Sequence, residues 1–218
     1  YDLEVSSISG GLLKKIWWGP PGEEETMEDG TPVRDYWMQM ADNCIHNADA
    51  LGAKYIRAFG FLKMALAFPE MWGDWIGAVK AITEKAAKKG KTIVIENEHG
   101  CILSDFASIK KAFEELDHPN CKLLFDPGNL FAGGEMVTDE VFEYVKDITG
   151  YIHVKDAITH NGAKKWTFIG EGEVGWQSIV DKFVDHGYDS FWSVETHMGK
   201  ENAWDNTVKN LELLRGLF

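Results

Sequence analysis

Short apolar runs alternate along the chain with longer stretches in which apolar residues recur every three to four positions. A period near two or an unbroken apolar run marks a strand, and a period near 3.6 marks a helix with one buried face. Read this way, strands are expected at Leu3–Ile8, Tyr55–Phe59, Thr92–Glu96, Lys122–Asp126, Tyr151–Lys155 and Phe191–Glu195. Helices are expected at Arg34–Leu51, Met71–Lys89, Asp105–Leu116, Thr138–Ile148, Trp176–His186 and Ala203–Leu214. Regular alternation of strand and helix is the pattern of a parallel sheet covered by helices, and strands such as Thr92-Ile93-Val94-Ile95-Glu96 are apolar on both faces, as burial on both sides requires. The expectation is an α/β protein of the (β/α) TIM-barrel type. No Pro/Gly/Ser-rich linker interrupts it, so residues 1–218 are read as one domain.

Two segments depart from the pattern. Residues Gly10–Thr31 are rich in Gly, Pro and Glu and carry Trp17 and Trp18; residues Ala157–Val174 carry Gly170-Glu171-Gly172. Both follow strands, so in a barrel both loops lie on the C-terminal face, where active sites are built. The tryptophans either pack the loop onto the barrel rim or cover a substrate there.

The strand ends carry the chemistry. Glu96, Asp126, His153 and Glu195 terminate or lie within four consecutive strand candidates. A carboxylate beside buried apolar residues needs a cation, a hydrogen-bond network or a proton. One such group is readily structural; four from successive parallel strands converge on one face and favour a metal site. In Phe191–His197, Ser193, Glu195 and His197 share one side of the strand, and His153 and Lys155 share one side of theirs. Three carboxylates and an imidazole suit Mn²⁺ first, with Mg²⁺, Co²⁺ and Zn²⁺ also accepted, and they leave coordination positions for substrate oxygens. Such an ion polarises a carbonyl and acidifies the neighbouring C–H, which a carboxylate can then deprotonate.

Composition narrows the partners. The chain has 218 residues, 35 acidic against 22 basic, for a net charge of −13, which disfavours binding to a phosphate backbone. Its three cysteines, Cys44, Cys101 and Cys121, form no C-x-x-C pair and fit a reducing cytoplasm, with Cys44 and Cys121 read as core or near-core residues. No apolar run is long enough to span a membrane, and the opening residues lack the features of a signal peptide. The opening strand without an initiator Met reads as a processed or truncated product.

Further stretches complete a family pattern. Ile56-Arg57-Ala58-Phe59, Glu96-Asn97-Glu98-His99-Gly100, Phe125-Asp126-Pro127-Gly128-Asn129-Leu130, Tyr151-Ile152-His153-Val154-Lys155-Asp156-Ala157, Gly170-Glu171-Gly172 and Ser193-Val194-Glu195-Thr196-His197 occur in that order. Together they resemble the sugar phosphate isomerase/epimerase superfamily, whose xylose isomerase-like TIM barrels include ketose 3-epimerases, hydroxypyruvate isomerase and inosose dehydratase. The resemblance implies that Glu96, Asp126, His153 and Glu195 hold one divalent metal. It also implies that Glu96 and Glu195 form an acid/base pair working through an enediolate, and that Arg57, Lys155 and His197 contact substrate hydroxyls or developing oxyanion charge. Each of these three has a structural alternative: Arg57 neutralising a carboxylate, Lys155 pairing with an acid, His197 capping the last strand. Glu98, His99 and Asp156 are read as residues of the rim or just behind the site. Asn129 stands where ketose 3-epimerases carry a histidine; it can hydrogen-bond a hydroxyl but cannot serve as an acid near neutral pH. The first strand matches the third of the family barrel, so the first two β/α units are expected to be absent, leaving sheet edges that a second copy of the chain could cover.

The expected function is therefore metal-dependent isomerisation or epimerisation of a small keto-sugar or related polyol. A lyase or dehydratase acting on a keto-polyol begins with the same proton abstraction and competes directly. An endonuclease IV-like nuclease shares the barrel but needs a histidine-rich three-zinc cluster and a basic surface, against 7 His and a charge of −13 here. A non-catalytic sugar-binding barrel is the alternative from outside enzymology.

Overall fold

The computed structural model of the protein describes residues 3–15, 17–20, 22–63 and 69–218; Tyr1 and Asp2, which open the chain ahead of the first expected strand, lie outside them. The chain falls into two compact units, Tyr1–Leu123 and Leu124–Phe218.

The first unit runs β1 (Ser7–Leu12), α1 (Val33–Ala50), β2 (Tyr55–Phe59), α2 (Pro69–Ala87), β3 (Thr92–Glu96), α3 (Phe106–Leu116) and into β4 (Cys121–Phe125). Its strands lie side by side in chain order, β1 and β2 parallel and β2 and β3 parallel in an unbroken register from Tyr55↔Thr92 to Phe59↔Glu96. Every residue of β3 is buried, which is why its sequence shows no polar alternation. The helices bury the faces their periodicity predicts: Trp37, Ala41, Cys44 and Ala48 on α1; Met71, Trp75, Val79, Ile82 and Ala86 on α2. The α3 helix begins at a reciprocal cap, in which Asp105 accepts the Ser108 N–H and Ser108 accepts the Asp105 N–H.

The second unit continues with α4 (Pro127–Ala132), α5 (Asp139–Val145), β5 (Thr149–Val154), β6 (Asp156–His160), β7 (Ala163–Thr167), α6 (Trp176–Asp185), β8 (Phe191–Val194) and α7 (Ala203–Arg215). Strands β5 and β8 pair in parallel, with His153 opposite Ser193. Phe183 of α6 anchors this half of the core, with Phe125, Phe142, Tyr188 and Trp192 around it.

Two expectations need correction. The first strand begins four residues later than expected and ends on Leu12: it pairs with β2 at Ser7, Ile8 and Leu12, and the register shifts between Ile8 and Leu12, where Gly10 and Gly11 carry no side chain to register in the hydrophobic pattern. A Cβ on Gly10 would meet Cys44 Sγ at 2.7 Å, so glycine lets α1 pack against this strand. Residues 157–174 are not a plain loop: β6 and β7 form an antiparallel hairpin. It turns at Asn161-Gly162, both at positive φ (51° and 78°), the requirement of a tight hairpin turn. No helix among the described residues is long and apolar enough to cross a membrane.

Candidate metal centre

Asp126 follows the last residue of β4 and caps α4: its Oδ1 accepts the Asn129 N–H at 2.7 Å. Pro127 at the first helical position sharpens this strand-to-helix switch, since a proline there loses no hydrogen bond. The cap occupies one carboxylate oxygen and points the other, Oδ2, at the Lys155 ammonium 2.8 Å away.

His153 lies next to the end of β5, and Glu195 directly follows β8. The β5–β8 register extends one step further when the Glu195 N–H donates to the Val154 carbonyl at 3.0 Å. That bond brings Glu195 alongside Lys155, whose ammonium donates to Glu195 Oε2 at 2.5 Å. His153 Nδ1 lies 3.7 Å from Glu195 Oε2 and 4.0 Å from Asp126 Oδ2. Asp126, His153 and Glu195 thus each offer a ligand atom within 4.8 Å of the others. His197 Nε2 approaches Glu195 Oε2 at 3.2 Å.

The cluster is buried on all sides but that of Glu195, which is half-buried: Asp126 is 0 % exposed, Lys155 5 % and His153 7 %. Burial alone pushes the Glu195 carboxyl towards the neutral form, but hydrogen bonds from His153 and His197 and the charges of Lys155 and His153 overcome it. Together they hold Glu195 well below the usual carboxylate range. Trp176 donates its indole N–H to the Lys155 carbonyl at 2.9 Å, fixing the backbone that carries the lysine. A Cβ on Gly128 would meet Lys155 Cγ at 2.7 Å and its carbonyl at 2.8 Å, so only glycine lets the first turn of α4 lie this close.

The donor set fits a divalent cation. Two carboxylates and an imidazole supply hard and borderline ligands, and a single lysine stands against the two carboxylates. Donors about 2.1 Å from an octahedral ion lie roughly 3–4 Å from one another, so a small inward adjustment brings this triad to coordination distance.

In the first unit, Glu96 ends β3 and is 1 % exposed. Arg57 of β2 donates to it through Nε and Nη2, reaches Ser9 Oγ at 3.2 Å through Nη1, and lies over the Phe59 ring. Arg57 is therefore the counter-charge of the buried Glu96. Beside it, Glu98 pairs with Lys14 at 2.9 Å and His99 at 3.2 Å. Burial raises the Glu98 pKa, but these partners outweigh it and hold the carboxyl below its usual range. Trp17 is buried and donates its indole N–H to Asp74 Oδ2 at 2.8 Å, which ties the β1–α1 loop to α2. Asn129 is buried in the first turn of α4, where its N–H completes the Asp126 cap.

Two residues outside the expected site matter to it. Trp166, on β7, stacks at an angle against His197 with ring centroids 5.3 Å apart, and the Lys155 ammonium lies 5.1 Å over its ring. Asn161-Gly162 was the available signal, because it marks the hairpin that delivers Trp166. Asp156, expected on the rim or just behind the site, is 1 % exposed and accepts N–H donors from Ala157, Gly170, Gly172 and Val174. The Gly170-Glu171-Gly172 turn wraps this carboxylate.

The model of the xylose isomerase-like TIM barrel family matches residues 2–217. An inosose dehydratase from Geobacillus thermodenitrificans is 24% identical over 163 residues, 67% of this chain and 54% of that protein. The chain spans about half the length of the curated relatives it matches. A xylose isomerase-like TIM barrel protein from Mycobacterium smegmatis, solved in complex with magnesium, superposes with a TM-score of 0.75 at 16% identity, covering 99% of this chain and 73% of that one. The apo 3-keto-D-glucoside 4-epimerase of E. coli gives 0.71 at 16%, covering 98% and 80%. These superpositions show the TIM-barrel-type α/β fold.

Proposed function

The chain belongs to the xylose isomerase-like TIM barrel family, and from that premise we propose that it isomerises or epimerises a small keto-sugar or related polyol with the help of one divalent cation. The observation that carries the reading is the convergence of Asp126, His153 and Glu195 at strand ends around a single buried lysine. Glu96 joins them as the fourth ligand in this proposal, being the buried carboxylate at the end of β3. Mn²⁺ suits the set, and Mg²⁺, Co²⁺ and Zn²⁺ are the other candidates. When bound, the cation supplies Lewis-acid polarisation of the substrate carbonyl and so acidifies the adjacent C–H.

The residues of the chain do the rest. Glu195, held ionised by its neighbours, is in the state required to accept the proton from carbon. Lys155, already bonded to Glu195 and desolvated, places a positive charge where negative charge develops on the substrate oxygen. His197 exchanges its contact with Glu195 for a substrate hydroxyl. Glu96, oriented by Arg57, is the second carboxylate: it takes up a proton from a substrate hydroxyl or solvent and delivers it to the neighbouring carbon in isomerisation or to the opposite face in epimerisation, and the proton taken by Glu195 passes to solvent. Asn129 can bind a hydroxyl but supplies no acid.

A second reading, dehydration of a keto-polyol, is favoured by the inosose dehydratase relative. It shares the first proton transfer and differs in the fate of the intermediate, which expels a hydroxyl instead of recovering a proton at carbon. Incubation of the Mn²⁺-loaded protein with a panel of ketoses and keto-polyols in D₂O separates the two by mass spectrometry. Isomerase or epimerase action yields a product of unchanged composition carrying solvent deuterium; dehydration yields a product lighter by one water. Glu195→Gln is expected to lower either signal by about 10²-fold or more. Wild-type protein that neither exchanges nor converts any member of the panel would leave the non-catalytic barrel as the better description.

A further inference from the structure

The second unit contains a cleft of about 750 Å³ alongside Glu195, a size typical of small-ligand sites. Strand β7 and the loop from β8 to α7 form its walls, with Lys164, Lys165, Trp166, His197 and Lys200 among the lining residues. His197 belongs to both cleft and cluster, since its Nε2 lies 3.2 Å from Glu195 Oε2. Trp166 marks the same boundary, packed on His197 and beneath the Lys155 ammonium. On the reading proposed above, a substrate whose carbonyl end lies at the cluster extends its far end into this cleft.

The cleft has the opposite charge to the chain. Three lysines and one acid, Glu201, line it, whereas the whole sequence holds 35 acidic residues against 22 basic. Outside the cleft, Lys14 pairs with Glu98, Lys85 with Asp42, Lys146 with Glu143, Lys182 with Asp139 and Lys209 with Glu171. At the cleft, the Lys164 ammonium donates to Thr159 Oγ1 at 2.9 Å and covers the Phe131 ring. Lys165 and Lys200 are exposed, and among the described residues their ammonium groups have neither an ion pair nor a hydrogen bond. A site for neutral hydroxyls is built from groups that both donate and accept; ammonium groups only donate and are strongly attracted to charge.

We propose that this cleft binds an anionic group, phosphate or carboxylate, at the end of the substrate remote from its carbonyl, with Lys165 and Lys200 as the charge contacts. The substrate class is then an acidic keto-sugar, a phosphate ester or a sugar acid, rather than a neutral ketose. Trp166 offers an apolar face for the carbon chain between the two ends.

Titration calorimetry on the full chain tests this with inorganic phosphate, D-gluconate and sorbitol as probes. No divalent cation is added, so that none captures the anion and turnover plays no part. Phosphate or gluconate is expected to bind at least tenfold more tightly than sorbitol, with an affinity that falls as NaCl is raised. Preference for phosphate indicates a phosphate ester and preference for gluconate a sugar acid. Lys165→Gln combined with Lys200→Gln should weaken anion binding at least tenfold, and each single change should weaken it less; both side chains are exposed, so the fold is retained. His153→Ala, which removes a ligand of the cluster and not of the cleft, should bind the anion like wild type, and this separates the present inference from the catalytic reading. Anions bound no better than sorbitol, or equally by wild type and the double variant, would overturn it. So would anion binding lost in His153→Ala but retained in the lysine variants.

Discussion

Lys155 stands between two carboxylates, bonded to Asp126 and Glu195 while 5 % exposed. Its place was legible because Tyr151–Lys155 alternates cleanly, whereas its dual partnership depends on a strand pairing that no local pattern encodes. Removing one partner from a buried ionic group costs about 3–5 kcal/mol. Lys155→Met is therefore expected to lower unfolding free energy by ~3 kcal/mol in urea melts without added cation. Saturating Mn²⁺ should restore more stability to the variant than it adds to wild type, since it replaces the missing positive charge. Equal gains in both proteins would show that Lys155 and the cation do not share the same carboxylates. A second residue-scale test concerns Asp105. Burial raises its pKa, but the Ser108 N–H, the Ser104 and Ser108 hydroxyls and the charge of Lys63 outweigh it and leave the carboxyl below its ordinary 3.8. A carboxyl depressed on folding stabilises the native state above pH 3.8, and that contribution disappears as the pH falls through the folded value. Asp105→Ala should thus cost about 1 kcal/mol at pH 7, and the gap from wild type should narrow in acid; a gap that widens in acid would contradict the cap. The three thiols are buried, and burial pushes Cys101 and Cys121 up to about 12. All three are expected to resist a thiol reagent at pH 8 until the chain is unfolded, with rapid native labelling of Cys101 or Cys121 as the contrary result.

At the level of elements, the strands that carry Glu96, Asp126, His153 and Glu195 were legible because each is a short apolar run closed by a polar residue. Tyr55–Phe59 and Thr92–Glu96 match residue for residue, and the ends of the other three strands expected after β1 differ by two positions or fewer, the usual latitude at element ends. Legibility failed where glycine or turn geometry outweighs side-chain pattern. The α4 helix was missed since six residues are too few for a helical period, although Asp126-Pro127 is an N-cap followed by proline. The β6–β7 hairpin was hidden because its exposed strand Ala163–Thr167 buries no apolar face. What holds that hairpin to the unit is the Asp156 carboxylate inside the Gly170–Val174 turn. A Cβ on Gly172 would collide with Asp156 Oδ1 and lie 2.7 Å from the Ala157 carbonyl. Gly172→Ala is expected to cost about 2 kcal/mol or more. It should also speed amide exchange at Gly170, Gly172 and Val174, the donors to Asp156. Unchanged protection there would mean that the turn is held by something else.

For the molecule as a whole, the family pattern spans both units, residues 2–217, and the polar strand ends are the feature that connects its fold to chemistry. A (β/α) sheet sends every strand's C-terminal end the same way, so residues far apart in sequence become neighbours without any sequence motif joining them. That is why candidate ligands such as Asp126, His153 and Glu195 could be singled out from strand ends alone, while the lysine-lined cleft, built from a hairpin and a loop, could not. The proposed chemistry requires the cluster to bind one divalent cation. Elemental analysis of the full chain after reconstitution with Mn²⁺ and removal of excess, on wild type and on His153→Ala, measures this directly. About one ion per chain in wild type and little in the variant is the predicted result. No retained ion in wild type, or the same content in both proteins, would contradict it.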